Sequence, residues 1–316
     1  MIFRLVVDST PNPGVGLMRE HPLLVGTVAL DFLHEGPLGA GRAPATLRWG
    51  GVMNNVACAL GARGTRPVFI TADYTGELRT AVEAHLTTNG AVWRPAPVRS
   101  PLPVFHAELV DGSVSAMHFI GQEALDALTP RAVGEHVVAH VAESAVVASG
   151  TDSHADNLAW LRRTAAEAGK PFWLLSADPE EVSKLVPGSR ADLVALNHRE
   201  LCLWAGRDLP DHRETAAAAR ELAGDGHVVV TLGAEGSLAV GPGIDGVVVH
   251  RVERPLRDVV TVGAGDVHFA ALLEARVAGV PWAQALAGAA ELTAAYLAQP
   301  ATDRPYDCLR PGNGQG

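Results

Sequence analysis

The chain has 316 residues, 47% of them hydrophobic, and a formal net charge of −10. That supplies apolar material for a large core, and the absence of any basic run argues against nucleic acid or an anionic membrane surface as a partner. No apolar run reaches the ~18 residues of a membrane span, and the opening segment breaks at Asp8, too early for a secretory signal, so the expected location is the cytoplasm.

In chain order, residues 1–20 carry Pro11, Pro13, Gly14 and Gly16 and read as an irregular arm. Residues 23–30 form an apolar run ending at Asp31, which predicts a first buried strand with a carboxylate at its exit. Residues 33–48 are rich in Gly, Pro and Ala, the mark of a loop or edge excursion. A helix is expected from Val56 past Leu60, closed by Gly61 and Gly64, then a strand over 66–71 and a helix over 77–88 that stops at Asn89-Gly90. Val92 and Trp93 begin another strand. Residues 104–110 and 114–120, separated by Asp111-Gly112, predict a β-hairpin. The excursions at 33–49 and 101–120 could pair into a small separate sheet, a lid.

Beyond residue 136 the alternation resumes. A helix end and a strand share 137–148. A helix over 157–168 closes at Gly169, and strands follow over 172–175 and over 193–196, the latter ending at Asn197. An Ala-rich helix over 213–223 closes at Gly224. A strand over 228–232 precedes a short antiparallel pair at 237–240 and 246–250. Helices are expected over 267–278 and 282–298. Alternating strand and helix over most of the chain predicts an α/β fold: a mostly parallel central sheet covered by helices on both faces.

Several chemistries are excluded by motif. The two lysines, Lys170 and Lys184, lie outside any Gly-x-x-x-x-Gly-Lys-Ser/Thr context, so there is no P-loop. The chain has no His-Arg-Asp, Asp-Phe-Gly or Gly-x-Ser-x-Gly. The Gly-x-Gly-x-x-Gly of a dinucleotide site is missing after the first strand. Cys58, Cys202 and Cys308 have neither metal-ligand nor redox-pair spacing and read as free thiols.

What remains is a set of polar or Gly-rich groups just after successive strands, where open α/β sheets bind ligands. They are Asp31, residues 197–200, the Thr231-Leu232-Gly233-Ala234-Glu235-Gly236 loop, and Thr261-Val262-Gly263-Ala264-Gly265-Asp266 at the head of a helix. The last can aim backbone N–H groups and a helix dipole at an anion while holding a carboxylate beside it, although a tight turn with an N-capping Asp has the same pattern. Gly50-Gly51 before Asn54 and Asn55 would let a ligand approach the backbone closely.

Together these segments resemble the ribokinase/phosphofructokinase-B (PfkB) family of small-molecule kinases. Gly50-Gly51 followed by Asn55-Val56-Ala57 is similar to the family's N-terminal signature, and residues 261–266 to its C-terminal one. Asn197-His198-Arg199-Glu200 fits its Asn-x-x-Glu motif, and Thr231-Leu232-Gly233 with Gly236 its nucleotide loop. The resemblance runs from about residue 22 to 298 and implies one ribokinase-like domain over 1–316. It implies an ATP-dependent sugar kinase, with nucleoside kinase and non-catalytic pseudokinase as alternatives. Asp266 would be the general base, and Gly263, Ala264 and Gly265 the anion hole. Asp31, Gly50, Gly51 and Asn55 would form the acceptor pocket. Asn197 and Glu200 would orient Mg²⁺ through water, and Thr231, Gly233 and Gly236 would line the ATP site. Lid sheets in this family often serve as homodimer interfaces, though the sequence shows no decisive patch.

Three positions depart from the family pattern. Val260 stands where an Asp usually helps hold a monovalent cation, with Asp258 on the wrong side of a strand alternation to replace it. His268 stands where an aromatic is usual, as a core histidine bonded to backbone or a ligand contact. Val52 replaces a residue that is polar in many sugar kinases. Trp49, Phe105 and Phe119 could stack on a substrate ring or pack the lid, and His34, His106 and His118 lie on or near that lid.

Overall fold

The computed structural model describes residues 21–36, 45–110, 113–121, 123–186, 191–257, 259–300 and 306–311. The elements in chain order are β1 (His21–Val25), β2 (Ala29–Glu35), β3 (Ala45–Gly50), α1 (Val52–Ala62), β4 (Val68–Tyr74), α2 (Leu78–Thr88), β5 (Val92–Ser100), β6 (Val104–Val110) and β7 (Ser113–Ile120). Then come α3 (Glu123–Asp126), α4 (Pro130–Val141), β8 (Ser144–Gly150), α5 (Ala155–Glu167), β9 (Phe172–Leu175), β10 (Leu193–Asn197), α6 (His198–Ala205) and α7 (His212–Ala223). The last are β11 (His227–Thr231), β12 (Gly236–Val240), β13 (Val248–Arg251), α8 (Ala264–Val277) and α9 (Trp282–Leu297).

A large sheet runs β13-β12-β11-β10-β9-β8-β1-β4-β5. It is parallel except for the β11–β12 and β12–β13 pairs, the antiparallel hairpin at one edge. Its inner strands are continuous apolar runs because both faces are covered by helices: Val228, Val229 and Val230 of β11, and Leu23, Leu24 and Val25 of β1, are completely buried. The chain leaves β1 in one direction toward β4 and β5 and returns on its other side through β8. That reversal opens a crevice at the carboxyl ends of β1 and β8.

The second sheet, β3-β2-β6-β7, is the lid expected from the two excursions. Residues 37–44 of the first excursion and the Asp111-Gly112 turn lie outside the described residues, as does the N-terminal arm. Leu33, Ala107 and Leu109 form a small apolar cluster on the lid, with Phe105 and Val260 packed against it. Val260 thus docks the lid onto the segment before α8.

Asp31 does not end a single strand over 23–30. The run contains two strands, β1 in the large sheet and β2 in the lid, and Asp31 is the third residue of β2. The two read as one because Val28 and Ala29 are as buried as β1. The break between them is held by tertiary bonds: Gly26 N–H donates to the Ile70 carbonyl at 3.2 Å, and Val28 N–H to the Tyr74 hydroxyl at 2.7 Å. A Cβ at Gly26 would lie 2.7 Å from that of Met53, so only glycine lets α1 pack there. Residues 259–261 form no strand, so alternation does not govern which way their side chains face, and Asp258 is outside the described residues.

Candidate active site

α8 begins at Ala264, after Gly263 in a left-handed conformation (φ 86°), so Asp266 lies within its first turn. A Cβ at Gly263 would meet the Tyr296 hydroxyl at 2.7 Å. Ala264 N–H donates to the Thr261 carbonyl at 3.0 Å, and Val267 N–H to that of Gly263 at 3.2 Å. The N–H groups of Gly263, Gly265 and Asp266 make no hydrogen bond among the described residues. The free donors are therefore these three, and the nominated Ala264 is committed to its turn.

Asp266 meets Asn55, one of the residues expected to line an acceptor pocket. Asn55 Nδ2, in the first turn of α1, donates to Asp266 Oδ2 at 2.7 Å, and the Tyr306 hydroxyl donates to Asn55 Oδ1 at 2.9 Å. Burial pushes the Asp266 carboxyl up to about 7. The Asn55 bond opposes this, the charges of Asp31 and Asp152 add to it, and Arg48 lowers it. Asp31, 4% exposed, rises to about 6 by burial against the pull of Arg48. Arg48 lies opposite Asp31 in the β2–β3 register, its Nε 3.4 Å from Asp31 Oδ2. The Arg48 Nη2 donates to the Val262 carbonyl at 3.3 Å, linking the lid to the loop before α8.

The glycines are fitted to this pocket. A Cβ on Gly50 would fall inside the Asp31 carboxylate, 1.8 Å from Oδ1. Gly51 has φ 98°, and a Cβ there would approach the Thr27 carbonyl at 2.5 Å. This turn launches α1 and delivers Asn55 to Asp266.

Asn197 and Glu200 form a capping box at the start of α6. Asn197 N–H donates to Glu200 Oε2 and Glu200 N–H to Asn197 Oδ1, each at 2.9 Å. Glu200 is 4% exposed, and burial raises it to about 7 against the Asn197 bonds. Thr231 is the register partner of Asn197 on β11, so both stand at one level of the crevice. Gly233 (φ 59°) and Gly236 (φ 114°) shape the tight turn into β12, and a Cβ at Gly236 would meet the His250 carbonyl at 2.1 Å. A cavity of about 100 Å³ touches this loop at Leu232 and Glu235 and α6 at His198. A larger one, about 320 Å³ between Thr129 and Asn157, lies away from the residues that converge on Asp266.

The sequence reading missed Arg48, Asp152, Tyr296 and Tyr306. Asp152 follows β8, its Oδ1 buried without a hydrogen-bond partner among the described residues, and burial raises its carboxyl to about 6. A Cβ on Gly150 would sit 2.1 Å from that oxygen, so the carboxylate folds back over the strand end. Its position after a strand was the available signal. His268 is buried on α8, its Nε2 without a hydrogen-bond partner among the described residues rather than bonded to backbone, and burial lowers its pKa to about 4. Trp49 stacks on His85 at 4.7 Å, and His34, His106 and His118 stack across β2, β6 and β7 at 4.9 and 5.6 Å.

No helix among the described residues is long and apolar enough to cross a membrane. The fold is similar to adenosine kinase from Sinorhizobium meliloti, with a TM-score of 0.76 and 17% identity over 92% of this chain and 98% of that one. It is also similar to ribokinase from Arabidopsis thaliana complexed with ribose and ATP, with a TM-score of 0.73 and 19% identity over 92% and 98%. A stretch of 87 residues is 46% identical to 1-phosphofructokinase of Escherichia coli K12, covering 26% of this chain and 27% of that protein. The chain thus spans about a quarter of the length of the curated relatives it matches. The pfkB family carbohydrate kinase profile matches residues 108–307. With that match over more than half its length, and with this fold, the chain belongs to the pfkB family of carbohydrate kinases.

Proposed function

We propose that the protein transfers the γ-phosphoryl group of ATP to a hydroxyl of a sugar, with Asp266 as general base. The observation that carries this reading is the meeting, at one helix N-terminus, of three N–H groups unbonded among the described residues and a carboxylate bonded to Asn55. Oriented N–H groups and a helix dipole suit the charge of a transferring phosphoryl. Asp31, with Gly50, Gly51 and Asn55, would hold acceptor hydroxyls. The acceptor oxygen attacks the γ-phosphorus as its proton passes to the Asp266 carboxylate. The bond to the bridging oxygen breaks, and ADP leaves with that electron pair. A pKa of about 7 suits a base working near neutral pH.

Thr231, Gly233 and Gly236 would line the ATP site. Asn197 and Glu200 fit an outer-sphere role toward Mg²⁺. The capping box occupies Asn197 Oδ1 and Glu200 Oε2, leaving one Glu200 oxygen to accept from metal-bound water. Bound Mg²⁺ would neutralise phosphate charge. The lid would close to exclude water, and its exposed Leu47 and Ile120 (65% and 61%) support a lid-mediated homodimer.

The test is ADP release with Mg-ATP and D-ribose, D-fructose, D-fructose 1-phosphate or adenosine. Acceptor-dependent release that Asp266→Asn abolishes is the expected result, and adenosine as sole acceptor makes it a nucleoside kinase. No turnover beside clear ligand-induced thermal stabilisation refutes catalysis and favours a pseudokinase.

A further inference from the structure

Arg48 has a place in the site that the acid–base scheme leaves unused. It projects from lid strand β3, with its side chain 13% exposed, into a space that Asp31 and Asp266 also face. Its two bonds are long for a guanidinium, 3.4 Å to Asp31 and 3.3 Å to the Val262 carbonyl, where charge-assisted bonds run at about 2.7–2.9 Å. Its third nitrogen, Nη1, is buried without a hydrogen-bond partner among the described residues. A buried N–H left unpaired is destabilising, and an arriving anion oxygen would relieve it.

The position selects which anion. Val262 immediately precedes Gly263, the first of the unbonded N–H groups at the head of α8. Arg48 therefore reaches the loop past which the phosphoryl would travel, while its other contact is the carboxylate assigned to acceptor hydroxyls.

We propose that Arg48 is an arginine finger supplied by the lid, donating from Nη1 to a non-bridging oxygen of the phosphoryl group in flight. This rests on the kinase reading above. The acceptor oxygen forms its bond to phosphorus, the bond to the ADP oxygen breaks with its electron pair leaving on ADP, and the acceptor proton goes to Asp266. Arg48 stays protonated throughout and supplies only charge and a hydrogen bond. Because its contact to Val262 joins lid to loop, it also makes lid closure a condition for phosphoryl stabilisation.

The experiment compares wild type, Arg48→Lys, Arg48→Met and Arg48→Ala, each first checked for a cooperative thermal transition. Steady-state kinetics use Mg-ATP with whichever of D-fructose, D-fructose 1-phosphate, D-ribose or adenosine the wild type phosphorylates. Arginine fingers contribute about 10³–10⁵ in kcat. The expected result is a kcat at least about 100-fold lower in the Met and Ala variants, a smaller loss with Lys, KM values within a few-fold, and partial recovery of Ala by added guanidinium. If Met does not fold, Lys and the Ala rescue carry the test. Unchanged kcat with a raised KM for D-fructose 1-phosphate alone overturns the proposal in favour of an acceptor-anion hook. Unchanged kinetics with a lowered melting temperature overturns it in favour of a structural ion pair. No turnover by the wild type with any of the four acceptors overturns the kinase reading, and the finger with it.

Discussion

Replacing Asp266 by Asn separates chemistry from stability and makes the two move in opposite directions. Burial raises this carboxyl from 3.8 to about 7. The folded protein therefore holds a proton that the unfolded chain has lost between those values, and its stability falls as pH rises from about 4 to 7. Above pH 7 the ionised, half-buried group carries a penalty of at most about 4 kcal/mol at ~1.36 kcal/mol per unit. At pH 5 the same linkage leaves under about 2 kcal/mol. The Asn side chain is nearly isosteric, and its oxygen can still accept from Asn55 Nδ2. The variant should melt higher than wild type by up to about 8 °C at pH 8.5, at roughly 2 °C per kcal/mol for a chain of this size. The gain should shrink by about half at pH 5. Activity should fall by about 10²–10⁴, the usual contribution of a positioned base. Thermal melts at both pH values and an ADP-release assay read the three quantities. A pH-independent difference in melting temperature, or turnover within a few-fold of wild type, refutes the buried-base argument.

Asp152 adds to the charge that keeps Asp266 high, so Asp152→Asn should move the inflection of the kcat/KM profile downward from about pH 7; an unmoved inflection separates the two carboxylates. Gly50→Ala places a Cβ 1.8 Å from Asp31 Oδ1, which should raise acceptor KM at least about tenfold, some 1.4 kcal/mol of lost binding, while KM for Mg-ATP holds; equal changes in both would dissociate Asp31 from the acceptor. Gly263→Ala meets both a φ of 86° and the Tyr296 hydroxyl at 2.7 Å. It should lower stability by about 1–3 kcal/mol and reduce kcat, seen as a lower melting temperature and slower ADP release.

Most of the large sheet was legible because its strands and caps agree at every level. β10 is four buried apolar residues closed by a capping Asn197, and the Ala-rich α7 runs into Gly224 as expected. The lid was legible from alternation and an Asp-Gly pair. The β1–β2 break was not, since only Gly26 and Thr27 interrupt the apolar run between Val25 and Ala29, and the contact that makes it, Tyr74, lies 46 residues on. The site was legible where it sits on glycine-rich turns. Arg48 was hidden as a charged residue in an edge excursion, and Tyr296 as core spacing in α9. Tyr306 follows the helices that carry the signatures. All three reach the site only through tertiary packing: Arg48 across the lid, and the tyrosines through their ring stack, with centroids 5.9 Å apart.

The charge balance of the crevice explains why such different devices occur together. The charges of Asp31, Asp152 and Arg48 all act on Asp266, on a chain of net charge −10. Lys184 is near Asp152 but is held by Glu181 and by the Thr151 and Ser153 carbonyls. Long-range attraction cannot draw a polyphosphate into such a site. Under the proposed function, short-range donors would do it: the N–H groups at the head of α8, glycine turns that let the backbone close in, and cations brought by the nucleotide itself. Burial sets the raised pKa of Asp266 and the neighbouring carboxylates add to it, so under the proposed mechanism the charges that oppose nucleotide binding also tune the base. Adding a lysine to this crevice would improve the attraction and, by lowering the Asp266 pKa, weaken the base proposed here.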